Sequence, residues 1–195
     1  MRGEPKRDLR VVKTLETIRA TFEDMVCEMD YAKITVTGLC KRARINKKTF
    51  YRYYEAMDDL LLEFQEGYAR EYAEKIAGLD TVADQPKLVR ALFEYSSEQG
   101  PAFEKITCAA GGYGHIRQQM IEKVMAQTGT AGERLAGLDV YRSDILRNFL
   151  GETPLRVYRL WVEGGKHIPL TEAADLAVAL TCKGMDGYLK ATGAR

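Results

Sequence analysis

The chain has 195 residues, 46% hydrophobic and 29% charged, with a formal net charge of only +1; this is an ordinary globular composition, and it excludes a polycation. Four dispersed cysteines and two histidines, with no C-x-x-C pair, argue against a zinc site and a disulfide framework. No run of about 18 apolar residues and no apolar N-terminal segment occurs, so no membrane span is expected and the reading is a soluble cytoplasmic protein.

Helical periodicity dominates and no hairpin signal appears, which predicts an all-α fold of about nine helices. Residues 1–8 are charged and expected to fray. A first helix is predicted from Leu9 to Met29, with Leu15, Ile18, Phe22, Met25 and Val26 recurring at spacings of three and four. Asp30–Ile34 turns the chain. Thr35 is a good N-cap for a second helix to Ala43, and Asn46 for a third from Lys47 to Tyr54. A fourth helix is predicted from Met57 to Gly78, and a fifth from Pro86 to Glu98. A sixth follows Gly100-Pro101 to Ala110. The run GGYG, Gly111–Gly114, is a break, followed by a seventh helix over His115–Gln127 and a loop to Asp139. The eighth helix is predicted over Val140–Gly164, with Gly151 and Pro154 able to kink it and Gly164-Gly165 as its stop. Thr171 is read as the cap of a ninth helix ending near Lys190.

The charge is unevenly placed. Residues 1–59 hold 13 basic and 10 acidic side chains, whereas 60–195 hold 16 basic and 18 acidic. From Lys33 to Tyr54 there are seven basic residues and no acidic one, a concentration suited to phosphate contact. The stretch TVTGLCKRARINKKTFYRYY reads as a helix, a tight turn and a helix. Its second helix would enter a DNA major groove, with flanking groups on phosphates. Thr35 and Thr37 open helix two, where free N–H groups favour an anion. Lys47, Lys48 and Thr49 open helix three. Tyr51, Arg52 and Tyr53 occupy its later exposed positions and would reach phosphate and sugar. Val36, Leu39, Cys40, Ala43, Ile45 and Phe50 form the apolar set joining the two helices, closed by Tyr54.

The segment ITVTGLCKRARINKKTFYRYYEAMDDLL resembles the DNA-binding domain of the TetR family of bacterial transcriptional regulators. Ala43, Ile45, Asn46, Thr49, Phe50, Tyr51, Tyr53, Tyr54 and Leu60 fall on matching positions. Arg44 stands where the family has a turn glycine, Gly38 lies inside helix two, and Met57-Asp58 stand where a lysine often meets phosphate. The resemblance implies an N-terminal three-helix helix-turn-helix domain, residues 1–60, and a C-terminal helical domain, residues 61–195, for dimerisation and effector binding. The stretch LRNFLGETPLRVYRLWVEGGKHIPLTEAADLAVAL resembles the last two helices of some such proteins. The likeness implies a homodimer through those helices. Ala173, Ala177, Leu180, Gly184 and Gly187 supply a small-residue stripe for close approach.

An effector pocket would draw on Tyr95, Phe103, Tyr113, Met120, Phe149, Tyr158 and Trp161, residues that equally suit core packing. GGYG is no phosphate loop, since it lacks the P-loop lysine and follows no strand. No Ser-His-Asp set, metal cluster or paired-carboxylate motif is present, so no enzyme and no cofactor is expected. The leading expectation is a dimeric DNA-binding repressor released by a small molecule. The alternative is a DNA-binding dimer with no inducer, whose C-terminal domain only dimerises or binds a protein partner.

Overall fold

The structure, a computed structural model, describes residues 9–108 and 138–192. Among these, every regular element is a helix. The predicted break at Gly111–Gly114, the seventh helix and most of the following loop lie outside the described residues. The chain divides into two compact units, 1–64 and 65–195.

In the first unit, α1 (Leu9–Glu28) buries Ile18, Phe22, Met25 and Val26 along one face. Burying a side chain of this kind stabilises by about 1.5–3 kcal/mol. A 3₁₀ turn (Tyr31–Lys33) leads to α2 (Val36–Arg42). Thr35 caps α2 as predicted, its side chain accepting a hydrogen bond from the Gly38 N–H at 3.1 Å. The same contact explains Gly38, where an added Cβ would lie 3.2 Å from the Thr35 hydroxyl.

The exit from α2 closes with two backbone bonds. The Ile45 N–H donates to the Cys40 carbonyl at 3.0 Å and the Arg44 N–H to the Lys41 carbonyl at 3.4 Å. This pattern requires a left-handed residue after the cap, and Arg44 takes it with φ of 54°. A non-glycine residue there costs about 1 kcal/mol. Arg44→Gly is therefore expected to raise the stability of this unit by up to about 1 kcal/mol, read from the denaturation midpoint of the full chain; a lowered midpoint would contradict it.

Asn46 caps α3 (Lys47–Phe50) by accepting from the Lys48 N–H at 2.8 Å. The third helix is shorter than expected. After Phe50 the chain tightens into a turn, with the Tyr53 N–H bonded to the Phe50 carbonyl at 2.9 Å. The reason lies downstream, where the Asp59 carboxylate accepts from the Glu55 and Ala56 N–H groups at 2.7 and 2.8 Å. That cap fixes the start of α4 (Met57–Lys75) and forces the chain to turn before it. Phe50, Leu39 and Leu60 are fully buried in the core of this unit. The Phe50 ring lies 5.4 Å from Tyr54, and Phe22 lies 5.3 Å from Phe64.

In the second unit, α5 (Gln85–Glu98) carries Pro86 in its first turn, where the missing N–H costs nothing. α6 (Pro101–Cys108) follows Gly100. α7 (Val140–Glu163) begins with Asp139 accepting from the Arg142 N–H at 2.9 Å and continues through Pro154. It stops at Gly164-Gly165: the Gly165 N–H donates to Val162 and the Lys166 N–H to Trp161, with Gly165 at φ of 84°. α8 (Leu170–Thr192) starts two residues earlier than a cap at Thr171 predicts. Its first turn closes from the Ala173 N–H to the Pro169 carbonyl, so Thr171 lies inside the helix and is not its cap.

The core joins Val89 and Phe93 of α5, Cys108 of α6, Tyr158 of α7 and Ala173, Ala174 and Ala177 of α8. The small residues of α8 thus face their own chain. Ala173 and Ala177 are buried there, and a Cβ at Gly184 would lie 2.8 Å from the ring of Phe149. This corrects the expectation that Ala173, Ala177 and Gly184 form a surface for a partner. Among its described side chains, the large apolar residues that α8 exposes are Leu176 and Leu180.

Candidate nucleic-acid interface

The helix-turn-helix places its charged side chains and Tyr51 outward, while Phe50 and Tyr54 are buried. Thr35, Thr37, Lys47, Lys48, Tyr51 and Arg52 are exposed, and Thr49 and Tyr53 half-buried. Tyr51 keeps 55% of its surface open although its ring meets Phe50 edge-on. The Arg52 guanidinium lies 6.0 Å from the Tyr53 ring centre, an exposed cation–π arrangement.

The basic residues differ in availability. Arg42 is held in a two-pronged ion pair with Glu28 of α1. Lys41, Arg44, Lys47 and Lys48 make no ion pair with a described residue. Their charge therefore stays open to an anion, and α3 begins with two adjacent lysines. The Arg42 pairing was not visible in the sequence, because Glu28 lies 14 residues away in another helix.

A polar network ties the unit together behind this face. The Arg19 guanidinium pairs with Glu63, and the Tyr54 hydroxyl donates to the other Glu63 oxygen at 2.9 Å. Burial, reinforced by the carboxylate, pushes the Tyr54 phenol up to about 12. Tyr54 therefore remains a neutral donor, anchoring the chain after α3 to α1 and α4. At the start of α4, Tyr31 donates to Asp58, so this position offers a carboxylate where a lysine would suit phosphate.

The expected effector residues are divided. Tyr95, Phe103 and Tyr158 are buried. Tyr95 lies 6.0 Å from Phe103, and Tyr158 lies 5.7 Å from the half-buried Trp161. Phe149 sits apart from them, against Gly184. Tyr113 and Met120 lie outside the described residues. The Tyr95 hydroxyl donates to the Tyr68 carbonyl and to Glu71, both at 3.1 Å. Sequence reading missed a set of buried hydroxyls: among the described residues, Ser96 Oγ, Thr107 Oγ1 and Tyr158 OH make no hydrogen bond. Burial pushes the Tyr158 phenol well above the usual tyrosine range, and the nearby Glu104 and Cys108 add to it.

Among the described residues no helix is long and apolar enough to cross a membrane, and no cluster of metal-ligating side chains occurs.

No known protein-family profile matches the chain. An 84-residue stretch is 37% identical to an uncharacterized HTH-type transcriptional regulator, YxbF, of Bacillus subtilis strain 168. That match covers 43% of this chain and only 21% of the relative's length. Among solved structures, a TetR transcriptional regulator from Streptococcus agalactiae 2603V superposes with a TM-score of 0.66 at 17% identity, over 89% of this chain and 96% of that one. The transcriptional regulator FadR of Bacillus subtilis, in complex with stearoyl-CoA, gives 0.63 at 16% identity, over 87% and 98%. The chain carries the fold of the TetR family of transcriptional regulators.

Proposed function

We propose that the chain is a sequence-specific DNA-binding transcriptional regulator, a homodimeric repressor released by a small-molecule effector. The observation that carries this reading is the outward face of α3, where Lys47 and Lys48 stand exposed, with no ion pair to a described residue, beside the exposed Tyr51. In a helix-turn-helix the N-terminal residues of the second helix reach base edges, while flanking groups hold the backbone. The capped start of α3 and the buried Phe50 orient those side chains.

Dimerisation rests on exposed apolar residues of the last two helices. Tyr141, Ile145, Phe149 and Leu160 of α7 and Leu176 and Leu180 of α8 are each at least 36% exposed. Contiguous exposed apolar surface marks an interface, and a two-fold dimer would set two recognition helices about 34–36 Å apart.

The effector reading draws on the three unpaired buried hydroxyls of the second unit, since such groups in a folded core call for a partner. A ligand that binds better to a dimer with wrongly spaced recognition helices would lower operator affinity by that difference. The second reading, a dimer with no inducer, is favoured by the buried packing of Tyr95, Phe103 and Tyr158.

Lys48→Ala, at the bases, is expected to weaken operator binding by about 1–3 kcal/mol, and Tyr51→Ala, at phosphate and sugar, to weaken binding to all sequences alike, with the unfolding midpoint nearly unchanged because both side chains are exposed. Titration of labelled operator DNA checks this. Unchanged affinity in both variants would contradict the placement of α3 in the groove.

A further inference from the structure

A groove of about 380 Å³ runs between the first two turns of α1 and the turn after α2. Its described lining is Leu9, Arg10, Lys13, Thr14 and Thr17 of α1 and Ala43 and Ile45 of the turn after α2. Among the described residues that line it, Arg10 and Lys13 are basic and none is acidic. The left-handed Arg44, exposed and with no ion pair to a described residue, stands between the two residues of its second wall. The same turn runs directly into Asn46 and the lysines of α3. Leu9 at the mouth is 75% exposed.

We propose that this groove seats a stretch of DNA sugar-phosphate backbone beside the bases that α3 reads; the inference rests on the DNA-binding function proposed above. The chemistry matches one occupant. An apolar lining whose described charged residues, Arg10 and Lys13, are both cationic suits a chain of deoxyribose rings whose phosphates project outward. Arg10 and Lys13 are three residues apart, a rise of about 4.5 Å along the helix, and their long side chains can reach adjacent phosphates of one strand. The Leu9 side chain and the threonine methyl groups of α1 meet the sugar edges. Arg44 closes the opposite rim, which gives the unusual arginine at a left-handed position a use in binding. These interactions position the protein on the duplex and carry no sequence information themselves.

The test is the salt dependence of DNA binding by the full-length protein. The variants are Lys13→Ala, Arg10→Ala with Lys13→Ala, and Arg44→Gly. The probes are an operator duplex and an unrelated duplex of equal length. Each phosphate that the protein no longer neutralises lowers the slope of log K against log salt by about 0.9. Every cationic side chain removed should therefore flatten the slope by about one unit, equally on both duplexes, while the affinity ratio between them is retained. Lys48→Ala, placed at the bases, should instead lower that ratio. Lys13→Glu should weaken both duplexes further than Lys13→Ala.

Three results would overturn the proposal. If the wild-type protein binds DNA with a steep slope and the groove variants keep that slope, the groove holds something else, such as residues 1–8 of the chain. If the variants change the ratio between duplexes while the slope stays fixed, the groove reads bases and not backbone. If the wild-type protein binds neither duplex, the groove proposal falls together with the DNA-binding function.

Discussion

Phe50→Ala is expected to destabilise the N-terminal unit by about 3–5 kcal/mol, the range for removing a fully buried phenylalanine. Phe50 has no exposed surface, ends α3, and packs its ring 5.4 Å from Tyr54 and 5.6 Å from Tyr51. The void would open where α2, α3 and the chain leading to α4 meet. Domains of this size are stable by only about 5–15 kcal/mol in total, so the loss threatens the whole helix-turn-helix. Denaturant unfolding of the full chain measures it. Tyr51→Ala is the control, because a residue 55% exposed should cost far less. Equal losses from the two substitutions would contradict the assignment of Phe50 to the core and Tyr51 to the outer face.

The second large effect concerns assembly. Leu176→Asp combined with Leu180→Asp is expected to convert the protein to a monomer and to weaken operator binding by about 10²–10⁴-fold, the gain that linking two binding modules confers. Both side chains are about half exposed, at 49% and 51%, so a carboxylate there remains hydrated in the monomer. In a dimer interface the same charge would lie unpaired and desolvated. Light scattering reads the assembly state and DNA titration the affinity. A dimer that survives both substitutions would show that these leucines lie outside the interface.

The sequence reveals local features of this fold better than tertiary ones. The buried face of α1 follows from the spacing of Ile18, Phe22, Met25 and Val26, and the caps at Thr35 and Asn46 follow from the side-chain oxygens such positions need. The strained turn is legible only through the family resemblance, since Arg44 stands where that family has a turn glycine, and the structure gives it a φ of 54°. The early end of α3 is less visible, because it depends on the Asp59 cap beyond it. The direction of the small residues of α8 is hidden too. A stripe of alanine and glycine permits close approach on either side, and only packing shows that Ala173 and Ala177 meet their own chain. Of the candidate DNA-facing set, residue types and order can be read directly. The pairing of Arg42 with Glu28, and the groove that brings Lys13 beside Ile45, arise from the meeting of distant segments.

Sequence-specific DNA binding is tested by titrating labelled DNA from upstream of the protein's own gene against random DNA of equal length, at two salt concentrations. A sequence-reading regulator anchored on phosphates should bind the upstream DNA about 10³-fold or more tightly than random DNA and lose affinity steeply with salt. Equal, weak binding to both DNAs across upstream and genome-derived fragments alike would contradict sequence-specific recognition by this helix-turn-helix.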